Sequence, residues 1–334
     1  MKKLNKKKPI IGFSIGDING IGPEILIKSL SNHNLTKLFT PLVYCNFEII
    51  DFYSKILKKK LVYEKIDSLN KIKPNKINLI PITNNRINVN PGKIKKEAGI
   101  YSFKSLELST NDLIKKKIDG IVTLPINKKN IQSEKFKFPG HSEYFAKKTN
   151  SKDFLMMMVS EKLKVGVLTG HIPFKFISKK LSKLELIKKI NILMNSLKNN
   201  FKINNPKIGI LSLNPHAGED GMLGNEEDKI IKPVIKKLNN KNKNVYGPFS
   251  SDSYFGNKLY KKYDATFSLY HDQGLIPFKM ISFSDGVNFT AGLKFIRTSP
   301  DHGTAYDISG KNQANNISLD KAILLNLKII AKNG

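Results

Sequence analysis

Residues 165–171, VGVLTGH, read as a buried β-strand that gives out on an imidazole: apolar and β-branched residues over the length of one strand, then a glycine, then His171. The same pattern recurs at 208–216, IGILSLNPH, which ends on His216, and at 265–271, ATFSLYH, which ends on His271. Ligands of open α/β sheets collect at the carboxyl edge of the strands. Three neutral imidazoles delivered there from separate strands are therefore placed to share one divalent metal ion. Any one of these histidines alone would also suit a hydrogen-bonded surface loop. The repetition of the position, in a chain with six histidines in all, is what favours the metal.

Outward from these runs, further strand-like stretches at 9–15, 40–45, 77–82, 118–124 and 154–159 alternate with helical patterns. That alternation is the signature of βαβ units and not of a sandwich. The clearest helix spans 183–199, with Leu186, Ile187, Ile190, Leu193, Met194 and Leu197 on one face and a capping box of Ser182 and Glu185. With 334 residues the chain is long enough for two α/β lobes. The boundary is expected near TLPINKK, 123–129. A first lobe would then take 1–125 plus 305–334, with the final helix, 318–331, returning to it, and a second lobe would take 126–304.

Composition narrows the function classes. A hydrophobic content of 40% with 25% charged residues is ordinary for a soluble globular protein. The formal charge of +30 would suggest a polyanionic partner, but only Arg86 and Arg297 are arginines among the 57 basic residues, and Lys, Asn and Ile abound everywhere. This resembles the codon bias of an A+T-rich genome more than a nucleic-acid footprint, and no recognised nucleic-acid module is present. Lysines 58–60 and 115–117 fall at the ends of expected helices, where cations complement the macrodipole. The lone Cys45 excludes an intrachain disulfide and suits a reducing cytoplasm. The basic start MKKLNKKK precedes an apolar stretch too short for a signal peptide, and no run approaches a membrane span of about 18 residues.

Three further stretches carry chemistry. GDINGIGPE, 16–24, runs from a strand into a helix, with Gly20 and Gly22 permitting close backbone approach and Pro23 at the first turn. It lacks the G-x-G-x-x-G spacing, which disfavours a classical Rossmann site. PGHSE, 139–143, opens a helix whose N–H groups and Ser142 hydroxyl make an anion site, although Ser142 could simply cap the helix. In a chain that elsewhere uses lysine almost exclusively, Arg297 answers a need for a planar bidentate fork on phosphate or carboxylate, with a buried structural ion pair as the other reading.

Taken in order, GDINGIGPE, TLPINK, PGHSEYFA, LTGHIP, LNPHAGE, YHDQG and GVNFTAGLKFIRTSPDHGTA resemble the 4-hydroxythreonine-4-phosphate dehydrogenase family of pyridoxal phosphate synthesis across nearly the whole chain. DHGTAYDISGK also looks like the adenosine loop of the related isocitrate and isopropylmalate dehydrogenases. The resemblance implies two α/β/α lobes with a cleft between them. It implies that His171, His216 and His271 bind one divalent ion (Zn, Mg or Co) at a homodimer interface, and that His141, Ser142, Lys279, Asn288 and Arg297 hold a small phosphorylated hydroxy-amino acid. His302, Gly303, Thr304, Asp307 and Asn315 are the implied NAD contacts. The implied reaction is oxidation of 4-phosphooxy-L-threonine at C3 by NAD, followed by loss of carbon dioxide to give 3-amino-2-oxopropyl phosphate. Lys279 and Asp252 are the candidates for taking the hydroxyl proton, and Asp252 could equally cap the helix after Gly247-Pro248. Asp307, if it met the ribose hydroxyls, would favour NAD over NADP. The alternatives are a paralogue acting on a threonate or erythronate 4-phosphate and a metal-dependent hydrolase.

Overall fold

The computed structural model describes residues 8–151 and 153–333; the basic start, 1–7, lies outside them. Among the described residues the strands, in chain order, are Ile10–Ser14 (β1), Thr40–Tyr44 (β2), Glu64–Lys65 (β3), Asn78–Ile80 (β4), Gly120–Thr123 (β5), Leu155–Val159 (β6), Lys164–Thr169 (β7), Lys207–Leu211 (β8), Asn244–Phe249 (β9), Ala265–Tyr270 (β10), Val287–Ala291 (β11) and Arg297–Pro300 (β12). The described residues divide into two compact units, 8–145 with 295–332, and 146–294. Both are α/β. Among the described residues no helix is long and apolar enough to cross a membrane.

In the first unit the strand order is β3-β4-β2-β1-β5-β12, all parallel, with Phe13 of β1 between Val43 and Val122. Chain order reverses between β1 and β5, and the loops leaving that switch point are the ones placed to hold a ligand. They are residues 15–21 after β1 and 124–128 after β5. Strands buried on both faces read as continuous apolar runs, which is why β1, β2 and β5 were legible. β12 is different: Arg297, Thr298, Ser299 and Pro300 are all buried, yet none carries an apolar signal except the proline. Pairing with β5, Arg297 to Ile121 and Thr298 to Val122, draws this polar segment inside.

In the second unit the order is β11-β6-β7-β10-β8-β9. β7, β10, β8 and β9 run parallel, and β6 is antiparallel to both β7 and β11. Because β10 sits between β7 and β8 in parallel register, the three histidine-ended strands are neighbours and end at one edge. The helix Lys183–Asn199 covers this sheet as expected, with Leu186, Ile190, Leu193, Met194 and Leu197 buried and the Glu185 amide donating to Ser182 Oγ at 3.2 Å.

The unit boundaries differ from the expected 125/126 and 304/305. Residues 126–145 stay with the first unit because Phe136 and Tyr144 pack on Phe103, with ring centroids 5.8 and 6.3 Å away, in the helix Lys96–Ile114. Residues 295–304 stay there because β12 pairs with β5 and Phe295 meets Phe145 edge-on at 5.7 Å. His141, Ser142, Arg297, His302, Gly303 and Thr304 therefore belong to the first unit, whereas Asp252, Lys279, Asn288 and the three strand-end histidines belong to the second. The final helix, Ile317–Asn333, lies in the first unit up to Lys332.

Candidate active site

The first unit brings Arg297 and Lys128 close to His141 at a helix start. Arg297, 3% exposed at the start of β12, donates from Nε and Nη2 to the Thr123 hydroxyl at 3.0 and 2.7 Å. Thr123 ends β5, so one edge of the guanidinium is fixed by the neighbouring strand. Burial pulls the Arg297 pKa down to about 9, against the attraction of Glu143, and it stays a cation at neutral pH. The helix His141–Lys148 starts beside it, with Glu143 curled back toward Gly140. Burial, then the charges of Arg297 and Lys128, hold His141 well below the ordinary histidine value, so its ring is neutral. Its Nε2 is shut off from solvent and has no hydrogen-bond partner. An enclosed donor or acceptor left unmatched is costly unless something arrives to use it. An anion seated between this ring, the helix start and Arg297 would do so.

A pH test follows from that burial. His141 is protonated below about pH 6.5 in the unfolded chain but remains neutral when folded, so the unfolded state binds the extra proton. The stability that His141 contributes above about pH 6.5 is then lost as pH falls from there toward the lowered folded value, at up to about 1.4 kcal/mol per pH unit. Urea unfolding of His141→Gln is expected to show a flatter loss of stability between pH 7.5 and 5.5, about 1–2 kcal/mol in all. Parallel curves for the two proteins would show that the ring titrates normally.

In the same unit a buried carboxylate ties three loops together. Asp17, fully buried, accepts from the Asn19 amide at 2.9 Å, from Asn130 Nδ2 at 2.7 Å and from the Tyr306 hydroxyl at 2.8 Å. Sequence reading took this aspartate only as part of a glycine turn. Gly20 has no room for a side chain, since a Cβ would lie 2.7 Å from the Thr304 carbonyl, which accepts from the Ile21 amide at 2.9 Å. Buried Glu24 pairs with Lys28 at 2.9 Å and accepts from the Ala314 amide at 2.9 Å, anchoring the end of the same loop. Of the implied NAD contacts, Gly303 and Asp307 are exposed beside half-buried His302 and Thr304, a polar rim suited to ribose hydroxyls. Asn315 is engaged otherwise: its Oδ1 accepts from the Ile317 amide at 2.8 Å and caps the final helix.

In the second unit the rings of His171 and His271 lie 5.3 Å apart, centroid to centroid. His271 Nδ1 meets Asp272 Oδ1 at 2.7 Å. A carboxylate acceptor there puts the proton on Nδ1 and leaves the Nε2 lone pair for a metal, the usual arrangement of a ligating histidine. By donor chemistry the pair therefore suits a divalent ion. His216 stands on the wall of a cavity of about 710 Å³ together with Asp252, Tyr270, Gln273 and Phe174. Among the described residues no three His, Cys, Asp or Glu side chains converge closely enough to enclose an ion. His171 and His271 are thus brought together, while His216 stands outside the pair.

Asp252, exposed in the first turn of the helix Ser251–Gly256, accepts from the Ser250 hydroxyl at 2.5 Å. That bond, the Ser253 amide and the nearby His216 lower its pKa. An acid held ionised in this way is a poor proton acceptor and a good electrostatic partner. Gln273, passed over in the HDQG motif, joins the strand ends. Its Nε2 donates to the Ser212 carbonyl at 2.6 Å and to Ser251 Oγ at 2.9 Å, and its Oε1 accepts from the Leu269 amide at 2.8 Å. Lys279 lies two turns beyond His271 on the helix His271–Ile281, with Nζ 5.8 Å from the centre of the Phe283 ring. Asn288 is half-buried in β11, opposite Met158.

The fold is that of an α/β protein, and its likeness to named relatives puts it among the dehydrogenases. The solved structure of 4-hydroxythreonine-4-phosphate dehydrogenase from Klebsiella pneumoniae matches with a TM-score of 0.84 and 33% identity, covering 98% of this chain and 99% of that one. The chain belongs to the family described as pyridoxal phosphate biosynthetic protein PdxA, whose model matches residues 37–326. It is 41% identical over 322 residues to a 4-hydroxythreonine-4-phosphate dehydrogenase of Aquifex aeolicus, covering 96% of this chain and 98% of the relative. It is also 34% identical over 330 residues to a D-threonate 4-phosphate dehydrogenase of Pectobacterium atrosepticum, covering 96% and 99%.

Proposed function

We propose that the chain catalyses NAD-dependent, divalent-metal-dependent oxidation of 4-phosphooxy-L-threonine at its C3 hydroxyl, the β-keto acid product losing carbon dioxide to give 3-amino-2-oxopropyl phosphate. The observation that carries the reading is the buried Arg297 beside the neutral ring of His141 at a helix start, groups suited to an anion, in a member of this family. His141, Ser142 and Arg297 bind the phosphate and supply remote binding energy for alignment. Lys279 and Asn288 orient the reacting end, and Lys279 Nζ takes the hydroxyl proton. Asp252, kept ionised, steadies His216 instead of acting as the base. His302, Gly303, Thr304 and Asp307 would hold the cofactor, and the close pair His171 and His271 would hold the metal, with His216, which stands outside that pair, as the third ligand. When bound, NAD supplies hydride acceptance and a divalent ion supplies Lewis acidity toward the hydroxyl and then the ketone. The cytoplasm, with its NAD pool, is the compartment this chemistry implies.

Relatives named for D-threonate 4-phosphate favour a second reading, since that substrate shares the phosphate and differs at C2. Assays of NADH formation with both phosphates separate them. The higher kcat/KM is expected for the aminated substrate, and no NADH with it would overturn the first reading.

The same reading includes a homodimer. Ile276, Met280 and Phe283 project at 59%, 83% and 74% exposure along the helix that begins at His271 and just beyond it. Ile276 and Met280, four residues apart, share one face of the helix with Phe283 exposed just past its end, and apolar surface left in water marks surfaces that pair. Met280→Asp is expected to halve the mass seen by light scattering at micromolar concentration. A mass unchanged from the parent dimer, or a parent that is already monomeric, would overturn this part.

A further inference from the structure

We propose that Glu227 is the positioning residue for His216: its carboxylate, enclosed beneath the turn at 213–221, sets the backbone from which that imidazole projects. The inference rests on the reading of His216 as a metal ligand.

The turn is unusual in its backbone. His216, Ala217, Gly218, Glu219 and Asp220 all have positive φ, at 49°, 55°, 83°, 42° and 51°. Left-handed backbone is disfavoured wherever there is a Cβ, and runs of it are rarer than single residues. Such a conformation persists only when its surroundings over-determine it. Glu227, 1% exposed, supplies that determination. One carboxylate oxygen accepts from the Leu213 amide at 2.7 Å and the Asn214 amide at 2.9 Å, and the other accepts from Asn214 Nδ2 at 2.9 Å.

Asn214 is engaged a second time, donating from Nδ2 to Glu226 at 2.8 Å, so both amide hydrogens have acceptors. The turn closes over the carboxylate. A Cβ on Gly218 would lie 2.8 Å from Glu227 Oε2, so the glycine is required both by its φ and by the oxygen beneath it. Glu227 also opens a π-turn, Glu227–Ile231, a helix irregularity frequent near functional sites. The carboxylate thus grips the two residues immediately before Pro215 and His216. It would act through the backbone without touching substrate.

The test uses the full chain, zinc alone and no substrate. Hydrogen exchange of the 213–221 amides and zinc affinity by calorimetry are measured for Glu227→Ala, Glu227→Gln and the core control Leu193→Ala. Both Glu227 variants are expected to speed exchange at 213–221 at least tenfold, with the rest of the second unit unchanged. They are also expected to weaken zinc by roughly 10–100-fold, the usual effect of losing an outer-shell partner of a metal ligand. Leu193→Ala is expected to lower Tm without moving zinc affinity. Should Glu227→Ala fail to fold, Glu227→Gln decides on the same two measurements. Unchanged exchange at the turn, or zinc binding weakened no more than by Leu193→Ala, overturns the proposal. His216→Ala keeps the two inferences separable: unchanged zinc affinity there would sink the metal reading, while the exchange data still decide whether Glu227 holds the turn.

Discussion

His216→Ala is expected to abolish NADH formation while leaving the fold intact. Its side chain is exposed on the wall of a cavity and packs into no core, so truncation leaves neither a void nor a stranded buried group. The backbone turn beneath is held by Glu227 and not by the imidazole. Loss of stability should accordingly stay within about 0.5 kcal/mol, as at other surface positions. Activity should suffer far more than the roughly 10–100-fold that an outer-shell change costs, because a ligand itself is removed. The measurements are initial rates of NADH formation with added zinc, magnesium or cobalt, alongside a thermal melt. Full activity in metal-depleted His216→Ala, with an unchanged melt, would remove the metal from the reaction.

The three histidines were legible because parallel buried strands announce themselves as apolar runs and then stop abruptly. VGVLTGH, IGILSLNPH and ATFSLYH each stop on an imidazole, and β10 does run between β7 and β8. What sequence could not supply was distance. The leads out of β7 and β8 differ in length, and the left-handed run at 216–220 carries no signature beyond one glycine, so nothing in the pattern told the close pair from the third member. Polar buried segments were the other blind spot. β12 spells Arg-Thr-Ser-Pro, which periodicity reads as a loop, and only pairing with β5 takes it inside. Asp17, Glu24, Gln273 and Glu227 were hidden for a related reason. Glu24, Gln273 and Glu227 serve backbone amides or carbonyls distant in sequence, Asp17 accepts from the far-off side chains of Asn130 and Tyr306, and such partners leave no trace in local spacing.

Arg297→Lys is expected to raise the KM for the phosphorylated substrate about thirtyfold, with kcat less affected. The charge is kept, so a site that needed only a positive point would barely notice. Geometry is what changes. In Arg297 the Nε and Nη2 hydrogens converge on the Thr123 hydroxyl and fix the plane of the guanidinium. A lysine ammonium on a flexible stem could satisfy Thr123 or reach an anion, but has no rigid fork with which to do both. Removing one side of an enclosed, charge-assisted contact costs about 2–5 kcal/mol, and retention of charge argues for the lower end. About 2 kcal/mol corresponds to roughly thirtyfold. Arg297→Ala should cost more and should also lower stability, since it leaves a void between β5 and the helix His141–Lys148. The decisive comparison is the inhibition constant of inorganic phosphate against parent and Arg297→Lys. A parallel weakening would assign the fork to the phosphate. Unchanged phosphate inhibition with a raised KM would move it to the carboxylate, and an unchanged KM would leave Arg297 as a structural ion pair with Glu143.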